Sequence, residues 1–143
     1  MTDEPSATLD GVTRTYGGVP VLTDVSLSVG TGVTAVVGPN GSGKSTLLGV
    51  LAGAVDPTAG TVRYRYGGPR EGGDKRVGYL PQRVPFRDGL TARETLGFYA
   101  ALVDGDPDAA LTGVGLADAA GKRVEALSGG MRRLLGIAQA TLG

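Results

Sequence analysis

Residues 38 to 45 read GPNGSGKS, and this octapeptide constrains the fold more than any other stretch of the chain. It satisfies G-x-x-x-x-G-K-[ST] at every fixed position. Glycines at 38, 41 and 43 can adopt backbone conformations closed to other residues, so that successive N–H groups turn inward around an anion. A helix beginning near Lys44 brings the positive end of its dipole to the same point. The Lys44 ammonium can reach the outer phosphates of a nucleoside triphosphate, and the Ser45 hydroxyl can ligate Mg2+. The flanks agree with this reading. GVTAVVG (32–38) is the dense β-branched run expected of a strand buried on both faces, and KSTLLGVLAGAV places Leu47, Leu48 and Leu51 on one helical face.

The remaining elements follow from local patterns. ATLDGVTRTYGG and VPVLTDVSLSVGTG read as two strands around a Gly-Gly turn. DPTAG is a turn, GTVRYRYGG alternates like an edge strand, and RVGYLPQ is a short strand stopped by Pro81. Thr91 and Glu94 have capping-box spacing ahead of a helix with Leu96, Tyr99, Ala100 and Val103 on one side. Residues 104 to 127 read as short helices joined by glycine-rich turns. In the last helix Met131, Leu134, Leu135, Ala138 and Leu142 share a stripe. Strands first, then a βα unit, then a helical part: the fold class is α/β with an inserted helical section.

Composition removes several function classes. The 143 residues carry no cysteine and no histidine, which excludes disulfides, thiolate metal sites and the commonest general base. Net charge is zero, so no nucleic-acid partner is expected. The longest apolar run, LLGVLAGAV at 47–55, is too short to span a bilayer, and the acidic N-terminus is not a secretory signal. The chain is therefore expected to be soluble, with any membrane role reached through a partner.

Three further features narrow the class of nucleotide site. Gln82 follows a strand, 38 residues past Lys44, where its amide can touch both a metal and a water. Tyr16 lies upstream of the glycine loop and offers a face for stacking on a purine, with Tyr64 and Tyr66 as competitors. LSGGM (127–131) puts Ser128, Gly129 and Gly130 at a helix start; taken alone, Ser128 reads as an ordinary N-cap. The adjacent Arg132 and Arg133 read as a solvated helix face.

Together these motifs resemble the nucleotide-binding domain of ABC transporters, over the whole chain. The resemblance implies a P-loop NTPase core of which this is the N-terminal part, with an antiparallel β subdomain and P-loop core at 1–82, a helical subdomain at 83–127, and the signature turn and helix at 128–143. Gly38, Pro39, Asn40, Gly41, Ser42, Gly43, Lys44 and Ser45 are similar to its Walker A loop, with Thr46 next in the motif. Tyr16 is similar to its adenine-stacking aromatic, Gln82 to its Q-loop glutamine, DPTAGTV (56–62) to the turn and strand after the P-loop helix, and Ser128, Gly129 and Gly130 to its signature. Implied with these are ATP and Mg2+, with Lys44 and Gln82 as catalytic residues and Ser45 and Gln82 as metal ligands. Implied too are a second nucleotide-binding domain paired head to tail, and membrane permease subunits contacted through 83–103 at the cytoplasmic face of the cell membrane. Met131 departs from the pattern, since Gln is the usual residue there; SGGM is most similar to the ATPase subunits of ABC-2 type exporters.

In that family an Asp for Mg2+, a Glu that polarises water and a switch histidine come after the signature helix, and none is found in these residues. Glu94 is explained by its capping box, and neither Glu125, Asp74 nor Asp88 reads as a general base. The expectation is an N-terminal fragment ending before the second carboxylate motif, with apolar surface left exposed and a tendency to aggregate. Two alternatives stay open: a nucleotide-binding module without hydrolysis, and a non-transport ABC ATPase of DNA repair or translation.

Overall fold

A computed structural model of the chain describes residues 4–65 and 77–143. They divide into two compact units between Glu71 and Gly72. Tyr66, Asp74 and the start of the strand expected at Arg76 lie outside the described residues.

The first unit is built on a hairpin. Strand β1 (Ala7–Tyr16) pairs antiparallel with β2 (Val19–Val29), and Tyr16 faces Val19 across a two-residue loop. Gly17 and Gly18 hold φ at 55° and 81°. Both central positions of this tight turn need positive φ to match the strand twist, which is why two glycines stand there. Strand β3 (Ala59–Tyr64) pairs on the other side of β1, giving the order β2-β1-β3 and making β3 an edge, as its alternation predicts. Helix α1 (Lys44–Leu51) covers the sheet, and Leu9, Val12, Leu22 and Val50 are buried between them. The Tyr64 hydroxyl donates to the Leu51 carbonyl at 2.8 Å, tying the end of α1 to the edge strand.

Two expectations need correction here. The apolar stripe of α1 is Leu47, Val50 and Leu51, not Leu47, Leu48 and Leu51. Residue 48 lies about 100° around the helix from residue 47 and points away from the hairpin, so Leu48 is exposed. The second correction concerns residues 32–38. They form no strand and are all exposed, Val33 completely and Val37 at 88%. A strand of this composition is buried only by hydrogen-bonded neighbours and covering helices, and the described sheet consists of β2, β1 and β3 alone. Residues 77–80 likewise have no ladder.

The second unit is helical: α2 (Ala92–Val103), α3 (Pro107–Gly113) and α4 (Gly129–Ala140), with single 3-10 turns at Ala117–Ala119 and Val124–Ala126. The capping box at α2 is formed. Thr91 Oγ1 accepts from the Glu94 amide at 3.2 Å, and the Glu94 carboxylate accepts from the Thr91 amide at 2.8 Å. Asp106 caps α3, with Pro107 in its first turn. Leu96, Leu111 and Leu135 are fully buried where the three helices meet, and Ala100, Leu127, Ala138 and Leu142 join the same core. Tyr99, Val103 and Met131 pack at its margin. The expected stripe of α4 holds except at Leu134, which is 37% exposed. Leu142 is buried although it lies past the helix end.

Candidate functional site

The glycine loop stands exposed from residue 38 through 42 and passes directly into α1. Gly41 and Gly43 hold φ at 80° and 91°, the left-handed conformation that the motif reserves for glycine. Gly43 also fits closely. A Cβ there would lie 3.0 Å from the Val21 carbonyl oxygen and 3.1 Å from Leu22 Cδ2, so β2 sets where the loop ends and the helix begins. Lys44 folds back over the loop and donates from Nζ to the Gly38 and Pro39 carbonyls at 2.8 and 2.6 Å, with Ser42 Oγ at 3.4 Å.

Helix ends explain why this loop suits an anion. The helices α2, α3 and α4 each have a side-chain oxygen on their first-turn amides, from Thr91, Asp106 and Ser128. Helix α1 has none, because its N-cap is Gly43. Its first-turn N–H groups therefore lack a side-chain acceptor, and a phosphate oxygen can supply one. Ser45, at the start of the helix, is exposed, and Thr46 is half-buried. The exposed loop, the uncapped helix end and the adjacent ammonium fit a nucleoside triphosphate with Mg2+.

The fold brings Tyr16 to the same end of the first unit. Tyr16 pairs with Val19, and Val21, two residues further on, abuts Gly43. The ring is 44% exposed, and the Arg14 guanidinium lies 4.4 Å from its centroid. Arg14 is itself anchored by a 2.8 Å bond from Nη1 to the Asp56 carbonyl. Of the two competing tyrosines, Tyr64 is half-buried and spends its hydroxyl on α1. Arg14 was not singled out above, although its position two residues before Tyr16 on one strand places both side chains on one face.

In the second unit Ser128, Gly129 and Gly130 are exposed at the start of α4. The Ser128 hydroxyl accepts from the Met131 amide at 3.2 Å, the ordinary N-cap bond. Gly129 has open space around it, a Cβ on Gly130 would meet only Ser128 Oγ at 4.0 Å, and neither amide meets an acceptor among the described residues. Gln82 is exposed. The arginine pair lies on an exposed helix face, as expected above, and its guanidinium groups also anchor backbone carbonyls. Arg132 donates from Nε to the Val124 carbonyl at 3.1 Å and from Nη2 to Glu125 at 3.0 Å, holding the approach to Ser128. Arg133 donates from Nη1 to the Pro81 carbonyl at 2.8 Å and to Gln82 at 3.4 Å. No local pattern announces these bonds, since the partners of Arg133 are 51 and 52 residues away.

Two carboxylates are already engaged. Backbone N–H donation from Thr91 to Glu94, and from Gly89 to Glu125 at 3.0 Å, holds both below the usual glutamate range. Among the described residues no cluster of three or more acidic, histidine or cysteine side chains could hold a metal, and no helix is long and apolar enough to cross a membrane.

A family profile described as ABC transporter matches residues 22–143. The zinc import ATP-binding protein ZnuC of Alcanivorax borkumensis is 41% identical over 138 residues, covering 92% of this chain and 51% of its own length. The cytochrome c biogenesis ATP-binding export protein CcmA of Roseobacter denitrificans is 35% identical over 136 residues, covering 94% and 62%. Among solved structures, cbiO1 from Clostridium perfringens, part of the ABC transporter complex cbiONQ, superposes with a TM-score of 0.74 at 22% identity, over 96% of this chain and 61% of that one. That likeness bears on the fold. The chain spans about half the length of the ZnuC relative.

Proposed function

Because the chain belongs to the ABC transporter family, we propose that it is the ATP-binding part of an ATPase subunit that powers a membrane transporter. The observation that carries this reading is the first turn of α1, uncapped by any side chain, beneath an exposed glycine loop on which Lys44 is folded. Gly38 through Ser45 and Thr46 surround the phosphates, and Lys44 exchanges its two carbonyl partners for phosphate oxygens. Tyr16, stiffened by Arg14, presents its ring to the adenine. Ser45 and Gln82 are the side chains offered to Mg2+, which when bound neutralises phosphate charge and polarises the terminal phosphate. Glu94 and Glu125 take no part as bases, since each is held by backbone N–H groups.

Ser128, Gly129 and Gly130 direct their helix end at the nucleotide of a second copy, paired head to tail. Gly129 and Gly130 supply the free amides, while the Ser128 hydroxyl serves its own helix. The missing side-chain donor at Met131 costs this arrangement nothing that the glycine amides provide. For the permease we assign residues 83–103, within the helical subdomain of 83–127. Pro85, Phe86, Leu90, Phe98 and Tyr99 line an apolar recess of about 80 Å³ there. Phe98 stays 65% exposed and meets Tyr99 edge-on at 5.5 Å. The Thr95 hydroxyl on its wall is buried with no hydrogen-bond partner. Such a recess suits an apolar segment of a membrane subunit, which in this reading is met at the cytoplasmic face of the membrane. Relatives named for import and for export match the same stretch, as expected if cargo and direction are chosen by the permease.

The test is the native protein reconstituted with its permease. Lys44→Ala should lower ATPase activity by about 100-fold or more, the scale of losing a charge-stabilising group. Undiminished activity would remove the P-loop assignment.

A further inference from the structure

Residues 78 to 84, which carry Gln82, lie lengthwise along α4. Gly78 sits so close to Ala140 that a Cβ there would overlap its carbonyl. Leu80 and Val84 straddle Gly136: a Cβ on Gly136 would lie 2.6 Å from Leu80 Cδ1 and 2.9 Å from Val84 Cγ2. Arg133 closes the series by donating to the carbonyls of Pro81 and Gln82. Positions 133, 136 and 140 follow i, i+3 and i+7, so they form one stripe of the helix. The segment thus runs antiparallel to α4, and the hydrogen bonds that hold Gln82 come from the end of the helix that bears Ser128. Arg133 is five residues past Ser128, about 7.5 Å along the helix axis.

We propose that Arg133 is a positioning residue, and that the Arg133–Gly136–Ala140 stripe couples the backbone of Gln82 to the signature turn of the same subunit. The chemistry supports a firm link. The guanidinium is a rigid planar fork of N–H donors, and two carbonyls on one Nη1 fix the direction of the peptide between them. Gly136 is required for close approach, since any side chain there displaces Leu80 and Val84. A shift of Gln82 toward or away from its own nucleotide is thereby carried to the helix end that meets the other copy's nucleotide. The consequence for catalysis rests on the function proposed above, whereas the tether itself does not.

The experiment uses the native protein with Arg133→Ala, Arg133→Lys and Gly136→Val. Without nucleotide, amide exchange across 78–84 should quicken about tenfold in Arg133→Ala, the loss expected for hydrogen bonds from a charged donor. Arg133→Lys keeps a donor and should fall between Arg133→Ala and the parent. With MgATP, kcat should drop by a similar factor in Arg133→Ala and Gly136→Val while KM for ATP holds, a split that general destabilisation does not produce. Unchanged exchange at 78–84 in Arg133→Ala would overturn the tether, and quickened exchange with unchanged kcat would overturn the coupling. Absence of ATP binding by the parent protein would instead strike the proposed function, leaving the exchange result to judge the tether alone.

Discussion

Replacing each loop glycine by alanine should give a ranked series, with Gly43→Ala the most damaging. At Gly43 the new Cβ must adopt φ 91°, which costs about 1–2 kcal/mol for a non-glycine residue. It must also sit 3.0 Å from the Val21 carbonyl and 3.1 Å from Leu22 Cδ2. Val21 belongs to the hairpin and cannot retreat cheaply, and overpacking of this kind costs about 1–3 kcal/mol more. Reduced freedom of the unfolded chain returns about 0.4–1 kcal/mol. The sum centres on about 3 kcal/mol, within a range of about 1–5. If a cost near that centre falls mainly on the loop, ATP binding weakens by about 30-fold to several hundred-fold. Gly41→Ala carries the φ cost alone, since its Cβ meets nothing within 4 Å, and should weaken binding by about tenfold. Gly38→Ala has one tight contact, Ser42 Oγ at 2.9 Å, the end of a side chain held only by a 3.4 Å bond from Lys44, and should be mildest. Calorimetric titration of each variant with MgATP, beside a thermal melt, separates binding from stability. Equal losses at 41 and 43, or a harmless Gly43→Ala, would refute the claim that β2 positions the loop.

Two further outcomes concern the helical unit. Leu96 is completely buried, so Leu96→Ala should cost about 2–5 kcal/mol in a urea melt, and a cost near zero would contradict the packing. Glu94 and Glu125 have lowered folded-state pKa values, so the stability they contribute is present above the usual 4.5 and lost as pH falls through the lower folded values. Melting temperature should therefore decline on acidification below 4.5, and Glu94→Gln should make that decline shallower.

Sequence patterns foretold those features whose causes are local. The Gly17-Gly18 hairpin, the Thr91–Glu94 box and the Ser128 cap each depend on residues within one turn of each other, and each is formed. The glycine loop was legible for the same reason. Burial was less so, because it is decided by distant neighbours. GVTAVVG has the composition of a central strand, yet Val33 and Val37 are exposed where no described strand pairs with them. Leu48 and Leu134 failed similarly: periodicity names a face to within a residue, and the packed partner selects which edge of that face is covered. Arg133 is exposed as its sequence context suggests, but its bonds could not be read there, because the acceptors lie about fifty positions earlier and are backbone carbonyls, which leave no mark in residue type.

The central claim is that residues 38–46 hold a nucleoside triphosphate, and direct titration of the native protein with MgATP tests it most plainly. The account predicts saturable binding at one site per chain, weakened by about 10- to 100-fold in Lys44→Ala, as for loss of a charged hydrogen-bond donor. No saturable binding, or binding that Lys44→Ala leaves untouched, would contradict it.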